Sequence, residues 1–257
     1  MEKLALSYSG IKNMAQNPAY FLWKRKQKVI SDALEFGKAF HCRVLEPEKF
    51  NEQVIVFTDG KTRTSQKYEK FAVDPMNKDK IILIEKEQDK LETMATAVLS
   101  EGSYSKEIIQ ATGNLFEQRI DWEDIESETP CKGFLDIHNP EKHVIADLKS
   151  VQSAEPETFS KQCANNGYHQ QAAFYIDGMN TIEDTDEYEK FLFICVEKSA
   201  PYQVAVYETD TQFIDVGRAR NRPLIDLFAK CLKSNNWPAY PNRAIELTLP
   251  RWANRIY

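Results

Sequence analysis

The hydrophobic and polar positions of this 257-residue chain follow two periods, one typical of strands and the other typical of helices. Short runs that are apolar or that alternate predict strands at residues 53–57, 81–84, 115–122, 130–138, 143–149, 189–196 and 202–207. Apolar residues three or four apart predict helices at residues 6–15, 19–28, 32–46, 86–99, 104–110, 155–166, 168–177 and 210–234. Strands and helices in this order, without an internal repeat or a linker, predict one mixed α/β (α+β) domain.

Residues with capping chemistry mark several of the predicted helix ends. Either Ser7 or Ser9 can cap the first helix, and Asp32 with Glu35 has the spacing of an N-cap and its reciprocal partner. Gly167 stands where the helix at residues 155–166 should end, because glycine accepts the left-handed backbone conformation that is common there. These residues therefore support the boundaries that the periodicity predicts.

Charged side chains gather on two consecutive predicted strands. Asp147 and Lys149 are two residues apart, so they share one face of their strand, while Leu148 faces the other way. Asp136 lies near the end of the preceding strand, and an Asn-Pro turn signal separates the two. If these strands form a hairpin, two carboxylates and one ammonium meet on one patch, and the carboxylates could hold a hard divalent cation.

This spacing, in which ten residues separate Asp136 from Asp147-Leu-Lys149, resembles the core of the PD-(D/E)XK nuclease superfamily. Two further motifs resemble the RecB and RecE branches of that superfamily. Gly37-Lys-Ala-Phe-His41 is similar to their G-x-x-x-H helix motif, and Gln171-Ala-Ala-Phe-Tyr175 is similar to the Q-x-x-x-Y motif that follows their catalytic strand. The motifs stand in the family's order.

The resemblance continues to the end of the sequence. Trp237-Pro-Ala and the later Leu249-Pro-Arg-Trp252 are similar to the end of RecE-type exonucleases, so the resemblance runs from about Leu6 to Trp252. It implies a PD-(D/E)XK nuclease core, with a mixed central β-sheet flanked by helices in a single domain that spans residues 1–257. Within that domain we expect a helical N-terminal part at 1–110 and a catalytic core at 111–257.

The resemblance also implies a metal site. Its ligands would be His41, Asp136, Asp147 and the backbone carbonyl of Leu148, and Gly37 would allow close helix packing. Magnesium is the expected ion for such an oxygen-rich site, and manganese can substitute for it. A helical histidine with no such motif around it is usually a structural residue, so His41 is the position at which the two interpretations differ most.

Four further residues are candidate catalytic residues. Lys149 would position or deprotonate the attacking water or stabilise the transition state, and the sequence does not distinguish these roles. Glu117, on the strand before the hairpin, is expected near the metal by resemblance, although a glutamate on a strand is ordinarily a surface residue. Gln171 and Tyr175 share a helix face and would orient Lys149 or hold the scissile phosphate, unless Tyr175 simply packs in the core.

The charge balance argues against a DNA enzyme unless the basic residues are concentrated locally. The chain has 33 basic and 39 acidic residues, a net charge of −6, whereas non-specific DNA binding depends on neutralised phosphates. Candidate DNA contacts lie in an aromatic and basic helix and in a polar loop at residues 58–67, namely Lys24, Arg25, Lys61, Arg63 and Lys67. Both segments could instead be ordinary solvated surfaces. RecE-type enzymes are rings, and a tetrameric ring of this chain would gather such residues in a channel around DNA.

The resulting hypothesis is a magnesium-dependent exodeoxyribonuclease that digests linear double-stranded DNA from its ends in the 5′-to-3′ direction. Its single-stranded overhangs would suit recombination with a single-strand annealing protein. A structure- or sequence-specific endonuclease and a catalytically silent DNA-binding protein are the alternatives. The five cysteines are odd in number and widely spaced, which favours reduced thiols in the cytoplasm over disulfides, zinc or an iron–sulfur cluster. We expect neither a membrane span nor a signal peptide.

Overall fold

The computed structural model describes residues 4–27 and 31–250. Its helices are α1 Tyr8–Gln16, α2 Pro18–Arg25, α3 Asp32–Leu45, α4 Pro47–Gln53, α5 Gln66–Ala72, α6 Glu85–Val98, α7 Tyr104–Ile109, α8 Pro156–Asn166, α9 Tyr168–Glu183 and α10 Thr211–Ser234. Its strands are β1 Val54–Phe57, β2 Ile81–Ile84, β3 Leu115–Asp124, β4 Thr129–Asn139, β5 Val144–Val151, β6 Phe191–Glu197 and β7 Val204–Glu208. Lys28, at the end of the predicted basic helix, and Trp252, in the C-terminal motif, lie outside the described residues.

The central sheet has five strands in the order β3-β4-β5-β6-β7. The pairs β3–β4, β4–β5 and β6–β7 are antiparallel, whereas β5 and β6 are parallel and are connected through α8 and α9. A parallel pair needs such a crossover because the chain must return to the starting end of the sheet before the second strand can run in the same direction. The predicted mixed central sheet flanked by helices is therefore confirmed.

Both faces of this sheet are covered, and the sequence of β6 shows why. Along that strand Phe191, Phe193 and Cys195 enter one hydrophobic cluster, and the residues between them enter a second. The first cluster includes buried residues of α1, α2, α8, α9 and α10, and the second includes residues of α3, α4, α6 and α7. Because neighbouring strand residues point to opposite faces, an almost continuous apolar run is what a strand covered on both sides requires.

A second, two-stranded parallel sheet is formed by β1 and β2 next to α3 and α6. The short helices α4 and α5, on either side of β1, were not predicted. The predicted N-cap of α3 was wrong by one residue: the side chain of Ser31 accepts the hydrogen bond from the Leu34 amide, and Asp32 is the first helical residue. Asp32 still favours this helix start, because a carboxylate in the first turn interacts well with the helix dipole.

The expected close packing at Gly37 was also wrong. A methyl group built on Gly37 would meet no atom within 4 Å, so α3 does not need a glycine there for contact with another helix. The close helix approach occurs elsewhere, between α9 and α10. A methyl group on Gly217 of α10 would lie 2.0 Å from the carbonyl oxygen of His169 in α9.

The cysteines Cys42, Cys131, Cys163, Cys195 and Cys231 are buried free thiols on different elements of the fold. Burial raises the pKa of each of these thiols above its ordinary value. No helix among the described residues combines the length and the apolar character needed to cross a membrane.

Candidate active site

The predicted carboxylates meet because of the register of three adjacent strands. β4 and β5 pair as far as Ile137 and Ala146, so Asp136 and Asp147 form the next opposed position, where the two strands separate. The pairs on either side of Glu117 in the β3–β4 ladder place it opposite the same Asp136. Glu117, Asp136 and Asp147 therefore form one row across the sheet.

Where β4 and β5 separate, a side chain takes the place of a backbone hydrogen-bond partner. One carboxylate oxygen of Asp136, Oδ2, accepts a hydrogen bond of 2.9 Å from the backbone amide of Leu148. This bond occupies an amide beyond the last paired residues of the two strands. The Leu148 side chain itself is buried in the second hydrophobic cluster, on the opposite face from Asp147 and Lys149.

Glu117 has an unusual backbone for a strand residue. Its φ of 47° lies in the left-handed region, which is costly for any residue other than glycine. Such conformations persist only where surrounding structure enforces them, and they concentrate at functional sites. Of the six non-glycine residues with a positive φ in the described part of the chain, Glu117 is the one that belongs to the carboxylate row.

His41 reaches this row from α3, on the other side of the site. Its ring nitrogen Nδ1 lies 3.5 Å from Glu117 Oε1 and 3.5 Å from Asp136 Oδ2. Burial by itself lowers the pKa of His41, but the nearby Asp136 and Glu117 outweigh this effect and raise the pKa to about 9. One histidine and two carboxylates thus offer ligand atoms that all lie within 4.8 Å of one another.

These donors fit a hard divalent cation. The two carboxylates are ligands that magnesium and manganese prefer, and the imidazole is a softer donor beside them. Asp147 adds a buried carboxylate: its Oδ2 atom accepts no hydrogen bond of regular geometry, although the Lys149 ammonium lies 2.6 Å away as an ion pair. An acceptor left with unused capacity at this depth is available for a further cation.

Next to the carboxylate row, the side chains of Asp147, Lys149 and Gln171 are connected to one another by hydrogen bonds and an ion pair. The amide nitrogen of Gln171 donates to Asp147 Oδ1 at 2.7 Å, and Lys149 Nζ donates to the Gln171 side-chain oxygen at 3.2 Å. Burial raises the pKa of Asp147, although Lys149 opposes the change. Burial lowers the pKa of Lys149, but Asp147 and Asp136 outweigh it and hold the pKa above its ordinary value, so Lys149 is an ammonium.

Tyr168 is a site residue that the sequence motifs do not include. The Lys149 ammonium lies 4.7 Å from the centre of the Tyr168 ring, a distance typical of a cation–π contact. Tyr168 stands three residues before Gln171 in α9, so the two side chains share one helix face toward Lys149. The three-residue spacing to Gln171 is the sequence signal from which Tyr168 could have been identified.

Tyr8 could not have been found from local sequence. Its hydroxyl donates to the carbonyl oxygens of Asn166 and Gly167, at 2.7 and 2.9 Å, although 158 residues separate Tyr8 from Asn166. Gly167 has a φ of 75° and forms the turn between α8 and α9, immediately before Tyr168. Tyr8 thereby ties the N-terminal helix α1 to the turn from which α9 enters the site.

Tyr175 lies in the first hydrophobic cluster and is only 9% exposed. It packs so closely on β4 that a methyl group on Gly133 would lie 2.6 Å from its ring. Burial raises the pKa of the Tyr175 hydroxyl, which stays protonated. Tyr175 thus packs in the core, with its hydroxyl near enough to Asp147 and Asp136 for their charges to act on it, and a contact with the scissile phosphate stays a prediction.

The candidate DNA contacts differ in whether their charged groups already interact with other residues of the chain. Lys61 and Lys67 are exposed and form no ion pair among the described residues. Arg63 is engaged: its guanidinium donates to Glu87 at 2.7 Å, to the Tyr68 hydroxyl at 2.7 Å and to the Ile82 carbonyl at 2.8 Å. Lys24 and Arg25, on α2, lie near the rings of Trp23 and Phe21.

The family described as PDDEXK-like domain of unknown function (DUF3799) matches residues 7–247. A candidate exonuclease from Eubacterium rectale has a similar fold, with a TM-score of 0.63 and 14% sequence identity over 96% of this chain and 91% of that one. A phage-related exonuclease from Haemophilus somnus 129PT aligns with a TM-score of 0.39 and 11% identity over 91% and 97% of the two chains. No curated protein matches the sequence significantly.

Proposed function

The chain belongs to the PDDEXK-like domain family (DUF3799), and from this premise we propose that it is a metal-dependent exodeoxyribonuclease. The family and the fold support a nuclease. The observation that carries the proposal is the row of Glu117, Asp136 and Asp147, with His41 on one side and Lys149 on the other. Hydrolysis of a phosphodiester needs both negative ligands for a cation and a positive charge near the phosphate, and this arrangement supplies both.

The cation would be held by His41, Glu117, Asp136 and Asp147, with the Leu148 carbonyl as a further candidate. Magnesium is the proposed ion and manganese its substitute. When bound, such an ion lowers the pKa of a coordinated water and polarises a phosphoryl oxygen. Glu117 and Asp136 each lie 3.5 Å from the same nitrogen of His41, and Asp147 follows Asp136 in the row, which is an arrangement that favours cation binding.

The remaining roles belong to the chain's own side chains. Lys149 is an ammonium in this structure, and in that form it can contact a phosphoryl oxygen but cannot accept a proton. Because the carboxylates that hold this proton are also candidate ligands of the cation, charge stabilisation and proton transfer both remain candidate roles of Lys149. Gln171 fixes Lys149 and Asp147 relative to each other, because it bonds to both.

The finer assignment rests on the RecE-type motifs. We propose that the substrate is the end of linear double-stranded DNA, that digestion runs 5′ to 3′, and that the overhang serves a single-strand annealing protein. We further propose a tetrameric ring, with the catalytic core at residues 111–257. The cytoplasm is the proposed location, since the five thiols described above are free.

Digestion of labelled DNA tests the proposal. Linear duplex labelled at either 5′ end or 3′ end is incubated with and without magnesium, beside a covalently closed circular plasmid. An exonuclease should release label from linear DNA only, with magnesium, and should leave the plasmid intact. Nicking of the plasmid would favour the endonuclease alternative, and binding without digestion would favour a silent DNA-binding protein.

A variant pair links the activity to the carboxylate row. We expect Asp147→Ala to abolish digestion while the fold survives, because it removes a candidate ligand and the ion-pair partner of Lys149. Asp79→Ala is the matched control, since Asp79 is an exposed carboxylate elsewhere in the chain. Equal digestion by both variants would contradict the assignment of the site.

A further inference from the structure

The N-terminal helices carry a charge opposite to that of the whole molecule. Residues 4–27 contain four cationic side chains and no carboxylate, in a chain with a net charge of −6. The four are Lys12 on α1, Lys24 and Arg25 on α2, and Lys26 directly after it. Among the described residues no carboxylate forms an ion pair with any of them, so their charges are available to an anionic partner.

The same helices expose aromatic surface. Trp23 is 53% exposed, although tryptophan is among the largest apolar side chains. The neighbouring Phe21, by contrast, is 2% exposed and packs against Phe228 and Trp237, so it is Phe21 that anchors α2 to the core. Trp23 therefore lies on the outer face of a helix that is already fixed by another residue.

Aromatic and cationic groups are interleaved on this outer face. The rings of Tyr20 and Trp23 lie 5.4 Å apart at an angle of 39°. Lys24 Nζ lies 5.9 Å from the Trp23 ring, and Lys12 Nζ lies 5.7 Å from the Tyr8 ring. We call these side chains of the two helices the α1–α2 platform: Lys12 on α1, and Tyr20, Trp23, Lys24, Arg25 and Lys26 on or directly after α2. Of these, Arg25 lies over the Phe21 ring, at the side of α2 away from Trp23.

Tyr8 connects the helix that carries Lys12 to the candidate active site. Tyr8, one turn from Lys12 on α1, bonds to the turn that precedes Tyr168, and Tyr168 covers Lys149. α2 packs against α1 after a single intervening residue, Asn17. A strand of DNA that leaves the site along α1 would meet the platform within the length of that nine-residue helix, about 13 Å.

We propose that the α1–α2 platform binds an unpaired strand of DNA, with Trp23 stacking on a base and the cations contacting phosphates. Exposed aromatic residues within a basic surface are the usual means of binding single strands, because every base has a flat face. In a duplex those faces are covered by neighbouring base pairs, so an indole on a helix surface favours an unpaired strand. The proposal deepens the proposed function, on which it rests for the choice of DNA as the partner.

Equilibrium binding without metal tests the proposal apart from catalysis. Fluorescence anisotropy of a labelled oligothymidine and of a blunt duplex of equal length is measured in EDTA, so that no digestion can occur. Trp23→Ala should weaken single-strand binding about 5- to 100-fold, the range expected for one lost base–aromatic stack. It should change duplex affinity less than about twofold, and Trp23→Phe should restore most single-strand affinity.

Two controls separate stacking from general effects. Tyr104→Ala removes an aromatic residue that is 58% exposed on α7, outside the platform, and should leave binding unchanged. Lys24→Ala with Arg25→Ala should weaken binding and reduce its salt dependence, by roughly 0.7 in the logarithmic slope per lost cation. Trp23→Ala should instead leave that slope unaltered.

Three results would overturn the proposal: a Trp23→Ala affinity equal to that of Tyr104→Ala, an equal loss for single strand and duplex, or a changed oligomeric state of Trp23→Ala in sedimentation. The last would place Trp23 in a contact between copies of the chain. Failure of the proposed function is a separate result, since it would appear as absent digestion of linear duplex in magnesium whatever the binding data show.

Discussion

At the scale of single residues, the ammonium of Lys149 is fixed from three sides. Asp147 pairs with it at 2.6 Å, Gln171 accepts its hydrogen bond, and the Tyr168 ring covers it at 4.7 Å. Each contact removes some of the rotamer freedom of a long, flexible side chain. The first two partners stand in motifs that the sequence presented, and the third does not.

We expect Tyr168→Leu to lower kcat about tenfold, because a cation–π contact of this kind contributes up to about 2 kcal/mol when it is desolvated. KM for DNA and manganese affinity by calorimetry should change little. Tyr168→Phe should retain most of the rate, since its ring remains over Lys149. A Phe variant as slow as the Leu variant would assign the effect to the hydroxyl instead of the ring.

His41 allows a second prediction. We expect His41→Ala to raise the magnesium concentration for half-maximal rate by about tenfold or more, the scale on which partners of a metal site act, with little change in melting temperature. His169→Ala is the matched control: His169 is buried on the other face of α9 against Phe213, and its loss should lower stability and leave the metal requirement alone. The opposite pattern would make His41 a structural residue.

The proximity of Asp136, Asp147 and Lys149 could be predicted from the sequence, because strand periodicity fixes which side chains share a face. His41, Glu117 and Gln171 were added through the resemblance, and the structure places them at the same site. Two features could not be predicted. The left-handed φ of Glu117 depends on the sheet around it, and Tyr8 acts across 158 residues through a turn.

At the scale of elements, Gly217 and Gly37 differ in whether the neighbouring structure leaves room for a side chain. We expect Gly217→Ala to destabilise the protein by about 1–3 kcal/mol, because its methyl group would overlap the His169 carbonyl where α10 crosses α9. Gly37→Ala is the matched control. It should stabilise the protein by about 0.5–1 kcal/mol, since Gly37 lies inside α3 and faces open space.

Urea denaturation checks this pair, provided that the slope with denaturant stays constant between variants. Equal midpoints for the two variants would mean that α9 and α10 separate easily enough to accept a methyl group. Gly37 also lies one turn before His41 on the same face of α3. A more stable Gly37→Ala with a raised KM would indicate that substrate uses the space beside this glycine.

The elements themselves were largely predictable, and the exceptions have physical causes. Both strands of the hairpin, the alternating β3 and the continuous β6 follow from their apolar periods. The helices α4 and α5 have only seven residues each, too short for a helical period to stand out. The α3 cap was misplaced because Ser31 and Asp32 are both good capping residues, and only the backbone distinguishes them.

At the scale of the whole molecule, two surfaces carry exposed cations although the net charge of the chain is −6. The α1–α2 platform and the exposed Lys61 and Lys67 are positive, whereas the chain as a whole is negative. A ring of chains that turned one of these surfaces toward its channel would concentrate positive charge there. The field of such a channel depends on its lining and not on the net charge of the protein.

We therefore expect sedimentation equilibrium to show a closed oligomer, most simply a tetramer, and single-molecule digestion to proceed over long distances without release. Lys61→Ala with Lys67→Ala should shorten those runs, while Arg63, which is held by Glu87 and Tyr68, should contribute through stability. A strictly monomeric species with equally long runs would exclude the ring.

The reactivity of the five buried thiols can report which elements of the fold open locally. Because each cysteine is shielded in the folded state, an alkylating reagent can modify it only after the surrounding element separates from its neighbours. The thiols lie on α3, β4, α8, β6 and α10, so mass spectrometry of partly labelled protein would rank the opening of five elements in one experiment. Addition of metal should slow labelling first at Cys42, on the helix that carries His41, if ligand binding clamps α3 to the sheet.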